Sequence, residues 1–175
     1  MSANIKAVDD PIKSFEEVAR RYCQLLESQP PIEALVFAHE CLILLLHLYE
    51  SAMRLPDTDA PEEEVRGISH ESWRAMFESI AARLPGRDFY WIVFEPLKLE
   101  PPNPVVGSLA DDVADIWRDL KPGLLLIDTG EPNCRNTAVW EWRFAFKNHW
   151  GRHAVDAITV LHALCIDDSS RINAN

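Results

Sequence analysis

The chain has 175 residues, 47% of them hydrophobic, with 17 Lys and Arg against 28 Asp and Glu, for a formal net charge of -11. That length can bury one sizeable core without disulfides or a structural metal, and a charge of that sign, with no basic cluster to interrupt it, argues against nucleic acid and anionic membranes as partners. The cysteines Cys23, Cys41, Cys134 and Cys165 stand far apart without a C-x-x-C pair, and the amino terminus has no apolar run of signal-peptide length, so a cytoplasmic protein with reduced thiols is expected.

Residues 1–10 read as a flexible tail. A first helix is predicted from Ser14, where Glu17 stands three residues after a capping hydroxyl and Phe15, Val18, Tyr22, Leu25 and Leu26 follow at helical spacing. A second, from about Pro31 to Leu55, contains "ALVFAHECLILLLHLY" and is apolar nearly all round. That pattern predicts a central core helix, too short and too interrupted by His39, Glu40 and His47 for a membrane span. Buried in this way, His39 and Glu40 would form a satisfied core pair, with His47 and His162 as core or margin residues. Residues 57–67 carry acids and turn formers and predict a solvated loop.

Ser69 predicts the cap of a third helix, with Ile68 and Trp73 as a hydrophobic staple. From about 89 to 106 the aromatic and then proline-rich composition disfavours a helix and predicts an extended strap, or at most a short strand pair. A fourth helix opens at the Ser108 cap, meets Pro122, which kinks or ends it, and stops at Gly130. The stretch "WEWRFAFK" at 140–147 alternates as a strand would. The helical spacing that continues to Cys165 instead predicts one long helix from about Thr137, with 167–175 as a second flexible tail.

The stretch "SLADDVADIWRDLK" places four aspartates on the fourth helix. At 100° per residue its buried stripe is Leu109, Val113, Ile116, Trp117, Leu120 and Leu124. Asp111 falls opposite and is explained by the first-turn dipole, whereas Asp112, Asp115 and Asp119 line one margin of the buried face. Arg118 is expected to project away from that margin, so three carboxylates there require positive charge from elsewhere. His149, His153 and Asp156 on the long helix lie at i, i+4 and i+7 and can supply it. Two histidines one turn apart with a third ligand a turn later can converge on a transition metal, although Trp150 stands where the zincin pattern needs glutamate. The six residues Asp112, Asp115, Asp119, His149, His153 and Asp156 are therefore either a divalent metal site or a buried polar network, with the network preferred.

The segment "DDVAD" is similar to the aspartate-rich motif of prenyl-diphosphate synthases, but the second aspartate-rich helix and the basic residues such enzymes need are missing. "YWIVFEPL", "VVGSLADDVADIWRDLKPGL" and "VWEWRFAFKNHWGRHAVDAITVLHAL" resemble, in that order and over residues 90–164, a bacterial domain-of-unknown-function family, DUF5063. Pro122 departs from the ordinary helix former expected at its position. The resemblance implies a compact, mainly helical protein and carries no functional residues with it.

The expectation is a single all-α domain over 1–175, a bundle of about five helices crossed by the strap. Two functions fit it: a non-enzymatic interaction or regulatory protein whose acidic surface meets a basic partner, needing no cofactor, and a metal-dependent hydrolase built on the Asp/His cluster.

Overall fold

In the computed structural model the described residues are 10–29, 33–62, 65–95, 97–101 and 103–172, with side chains described as far as Ile166. The first helix, α1 (Pro11–Glu27), starts three residues before Ser14 because Asp10 takes the cap. Its Oδ1 accepts from the backbone of Ile12 at 3.0 Å and Lys13 at 3.4 Å, and Pro11 fills a first-turn position where no N–H is needed. Residues 1–9 of the expected tail, and Pro31, lie outside the described residues. At the other end of α1, the buried Arg83 donates to the carbonyls of Leu25, Leu26 and Ser28 at 3.1, 2.9 and 3.2 Å, satisfying acceptors that the helix itself cannot.

Helix α2 (Ala34–Ala52) corrects the sequence reading: it lies on a flank, packed on α1 and α6. Phe37, Cys41, Leu44, Leu45 and Leu48 face inward, while Val36, His39, Glu40, Leu46 and His47 are exposed. Apolar side chains on both faces made it look central, yet only one face is covered. By length and composition alone α2 could cross a membrane, but its inward face is part of the protein's own core.

Helix α3 (His70–Ala81) starts as predicted, with Ser69 Oγ accepting from Ser72 N at 3.1 Å and with Ile68 and Trp73 both packed against the core. The expected strap contains a two-stranded antiparallel ribbon, β1 (Phe89–Ile92) and β2 (Val105–Ser108), in which Tyr90 faces Gly107 and Trp91 faces Val106. Period-two alternation turns Tyr90 and Ile92 inward and leaves Phe89 and Trp91 in solvent. A Cβ at Gly107 would collide with Ile92, so the glycine is what lets that side chain fold across β2.

Helix α4 (Leu109–Thr129) is the one in the middle, in contact with α1, α3, α5 and α6. Ser108 Oγ accepts from Asp111 N at 3.2 Å, and Asp88 accepts from Ala110 N at 2.7 Å, so side chains from the ribbon close its first turn. Pro122 neither ends nor divides it, and the helix runs on to Gly130, whose φ of 68° is the usual left-handed stop. Beside the proline, the buried indole of Trp142 donates to Leu120 O at 3.0 Å.

The strand alternative for 140–147 is excluded. Helix α5 (Cys134–Ala145), a π turn at Phe146–Trp150 and helix α6 (Gly151–Ile172) form one continuous helical segment, three residues longer at its start than predicted. It also continues to Ile172, where a flexible tail from 167 was expected. In a regular α-helix, Trp150 would be rotated about 80° from Trp142, which would set the two indoles toward opposite margins of the buried face. The π turn takes up one extra residue, about 100°, and both indoles are fully buried, with Phe15 of α1 at 4.9 Å and 6.3 Å between ring centroids.

Gly151 permits that turn, because a Cβ there would collide with the Phe146 carbonyl oxygen. Alanine favours a helix over glycine by about 1 kcal/mol. Gly151→Ala is nevertheless expected to destabilise the protein by about 1–3 kcal/mol in urea unfolding, the usual cost of overpacking. A neutral or stabilising substitution would mean that glycine does not set the π turn.

Candidate functional site

Asp112, Asp115 and Asp119 descend one edge of α4, as the helical spacing predicts, and His149 and His153 come to meet them from the π turn and α6. Asp112 and Asp115 are only 3% and 7% exposed. Carboxylates so deeply placed need partners. His153 Nδ1 lies 2.7 Å from Asp112 Oδ1, and His149 Nδ1 lies 2.6 Å from Asp119 Oδ2. Tyr90, reaching in from β1, donates its hydroxyl to the other oxygen of Asp112.

A nitrogen hydrogen-bonded to a carboxylate carries a proton, so both Nδ1 atoms are committed as donors and both Nε2 atoms point elsewhere. They point at Asp115. Its Oδ2 lies 3.6 Å from His149 Nε2 and 3.5 Å from His153 Nε2, beyond good hydrogen-bonding range. Asp115 Oδ1 is 3.0 Å from the Arg118 guanidinium, close enough to pair by charge but not aligned for a hydrogen bond. Arg118 therefore turns toward the acidic edge, against the expectation that it projects away.

Three carboxylates set against one guanidinium leave two negative charges, which two protonated imidazoles or one divalent cation would neutralise. Burial raises the carboxyls of Asp112 and Asp119 even though their histidine partners pull the other way. For His153, burial alone would lower the imidazole, but the hydrogen bond and charge of Asp112, followed by Asp115 and Asp111, outweigh it and the net shift is upward.

The amino-acid sequence from residue 6 to residue 167 matches the family model described as Domain of unknown function (DUF5063). The chain belongs to that family. The crystal structure of protein BF1032 from Bacteroides fragilis superposes on the chain with a TM-score of 0.77, covering 89% of this chain and 92% of that one, at 23% sequence identity. At that identity the likeness is one of fold. No curated protein matches the chain.

Of the six candidate residues in this DUF5063 chain, five come together and Asp156 does not. It is held by Arg152 at 2.7 Å, and it lines a cleft of about 400 Å³ between the β ribbon, α4 and α6. Arg152 also donates to Val93 O at 2.9 Å, tying the end of β1 to α6. His39 and His47 on α2 and His162 on α6, expected as core or margin residues, are exposed. Tyr90 and Asp111 were missed. Alternation in "FYWI" already placed Tyr90 on the inward face with Ile92, but nothing local named its partner. Asp111, read as a first-turn cap acid, has its carboxyl raised by burial and then by Asp115 and Asp112, and it can bring an oxygen within 4.8 Å of donors on Asp112 and His153.

Because the folded state raises the His153 pKa above its ordinary 6.5, the stability it contributes is complete below that pH and is lost as pH rises through the raised value. In metal-free protein, urea unfolding from pH 5.5 to 8.5 is expected to show the advantage of wild type over His153→Gln shrinking as pH rises. A difference that stays constant would show that the imidazole does not carry this charge.

Proposed function

We propose that the protein is a metal-dependent hydrolase in which His149 and His153, through Nε2, and Asp115, through Oδ2, hold one divalent transition ion. One observation carries this reading: two imidazoles, each braced at Nδ1 by its own carboxylate, turn their free nitrogens onto a third carboxylate at separations of 3.5 and 3.6 Å. Ligands about 2.1 Å from a tetrahedral ion stand about 3.4 Å apart, so this spacing suits an ion between them. Carboxylates on the remote ring nitrogen, the role Asp112 and Asp119 have here, are the usual support of metal-binding histidines. Two histidines and one carboxylate leave coordination positions for water, and the His149 and His153 side chains, 38% and 24% exposed, leave those positions within reach of solvent. An ion so held lowers the pKa of its water toward neutrality, which is the chemistry of hydrolysis.

A second reading is supported by a different surface. Phe89, Trp91, Phe94, Leu97 and Leu99 are exposed along the ribbon and its connection on a chain of net charge -11, which suits a non-enzymatic protein that meets a basic partner.

Thermal melts of chelator-treated protein against zinc, manganese, nickel, magnesium and calcium separate the two. A bound ion at one hundred times its dissociation constant adds about 2.7 kcal/mol. The expected result is a raised midpoint with zinc or another transition ion, absent in His153→Ala and absent with magnesium and calcium, whose preference is for oxygen ligands. No shift with any ion would refute the metal reading and leave the interaction reading.

A further inference from the structure

The cleft beside the Asp/His cluster has two unlike walls. One is apolar, made by Phe77 of α3, Phe94 and Val106, and the last two are exposed, at 63% and 60%. The other is acidic: Asp111 and Asp112 of α4 and Asp156 of α6 face it, with Arg152 as its guanidinium. These acids are not equivalent. Asp156 is paired with Arg152, and Asp112 is occupied by Tyr90 and His153. Asp111 gives its backbone N–H to Ser108 and leaves its carboxylate without a hydrogen-bonding partner among the described residues. It is half-buried, so water does not fully compensate it.

We propose that this cleft binds a small organic ammonium ion, its cationic head at Asp111 and its aryl or alkyl body against Phe94 and Phe77. Charge complementarity selects the occupant. Three carboxylates outnumber the Arg152 guanidinium and the His153 imidazole that share the cleft, so it repels anions, and the aromatic rings bind apolar bodies and are attracted to cations through their faces. A neutral apolar ligand would leave the Asp111 carboxylate desolvated and unpaired, and an inorganic cation would leave the aromatic wall wet. A cleft of about 400 Å³ is of the size that takes a small molecule. The inference does not require the metal site, because the head group meets Asp111 and not the Nε2 atoms of the histidines.

The test is calorimetric titration of chelator-treated wild type with phenethylammonium, and with 2-phenylethanol and 3-phenylpropionate as the neutral and anionic counterparts. Asp111→Asn and Phe94→Ser alter exposed or half-buried side chains, and circular dichroism checks their folding. The expected result is binding of the ammonium about ten-fold or more tighter than either counterpart, weakened about five-fold by each substitution, as one exposed ion pair or one cation–π contact would give. Equal binding of the alcohol, or an Asp111→Asn protein that binds as wild type does, would overturn it. So would a short Phe-Lys peptide amidated at its carboxyl end that binds a hundred-fold tighter than phenethylammonium, since the surface would then be a peptide-docking site. Metal-free conditions keep the outcome separate from that of the hydrolase reading.

Discussion

Burying Asp112 and Asp115 on a helix that touches most of the others obliges the surrounding elements to bring compensation to them. An uncompensated carboxylate inside a protein costs several kcal/mol, a large share of a domain's whole stability. The compensation comes from two directions. The β ribbon sends in Tyr90, and the long last helix sends in His149 and His153. The ribbon in turn is held by Arg152 to α6 and, through Asp88 just before β1, to the first turn of α4.

The π turn makes that delivery compatible with packing. From Trp142 the inward positions run Phe146, Trp150 and Ala154, always four residues apart. In a regular helix each such step drifts by about 40°, and three would carry the face off the core. One extra residue in the turn resets the phase, so that Trp142 and Trp150 both pack on Phe15 while His149 and His153 both reach α4. Turns of this kind are frequent at functional sites for this reason: they aim side chains that regular geometry would not.

How much of this could be read in advance depended on whether the information was local. The caps at Ser69 and Ser108 and the edge of Asp112, Asp115 and Asp119 follow from spacing along one helix, and so do the facing histidines. The start of α1 was a contest between two legitimate caps, and aspartate followed by proline won over the serine. The place of α2 was misread because composition reports how apolar a helix is, not which neighbours cover it. Tyr90 and Asp112 are 22 residues apart and meet only after the strands pair, while Asp111 acquires its surroundings from the ribbon folded above it. The π turn had a sequence signal, the run of four-residue spacings, which regular helical periodicity disguises.

The electrostatics leave a clear alternative for the centre of the cluster. Two protons on the imidazoles and one divalent ion between them satisfy the same charge balance, and each implies a different geometry. Anomalous diffraction from zinc-soaked crystals, recorded above and below the zinc edge, tests the choice most directly. The account predicts a single strong peak about 2.0–2.2 Å from His149 Nε2, His153 Nε2 and Asp115 Oδ2, with Asp112 and Asp119 still on the Nδ1 atoms. A map with no peak there, and with the two Nε2 atoms hydrogen-bonded directly to Asp115, would contradict it and leave the cluster as a protonated structural network.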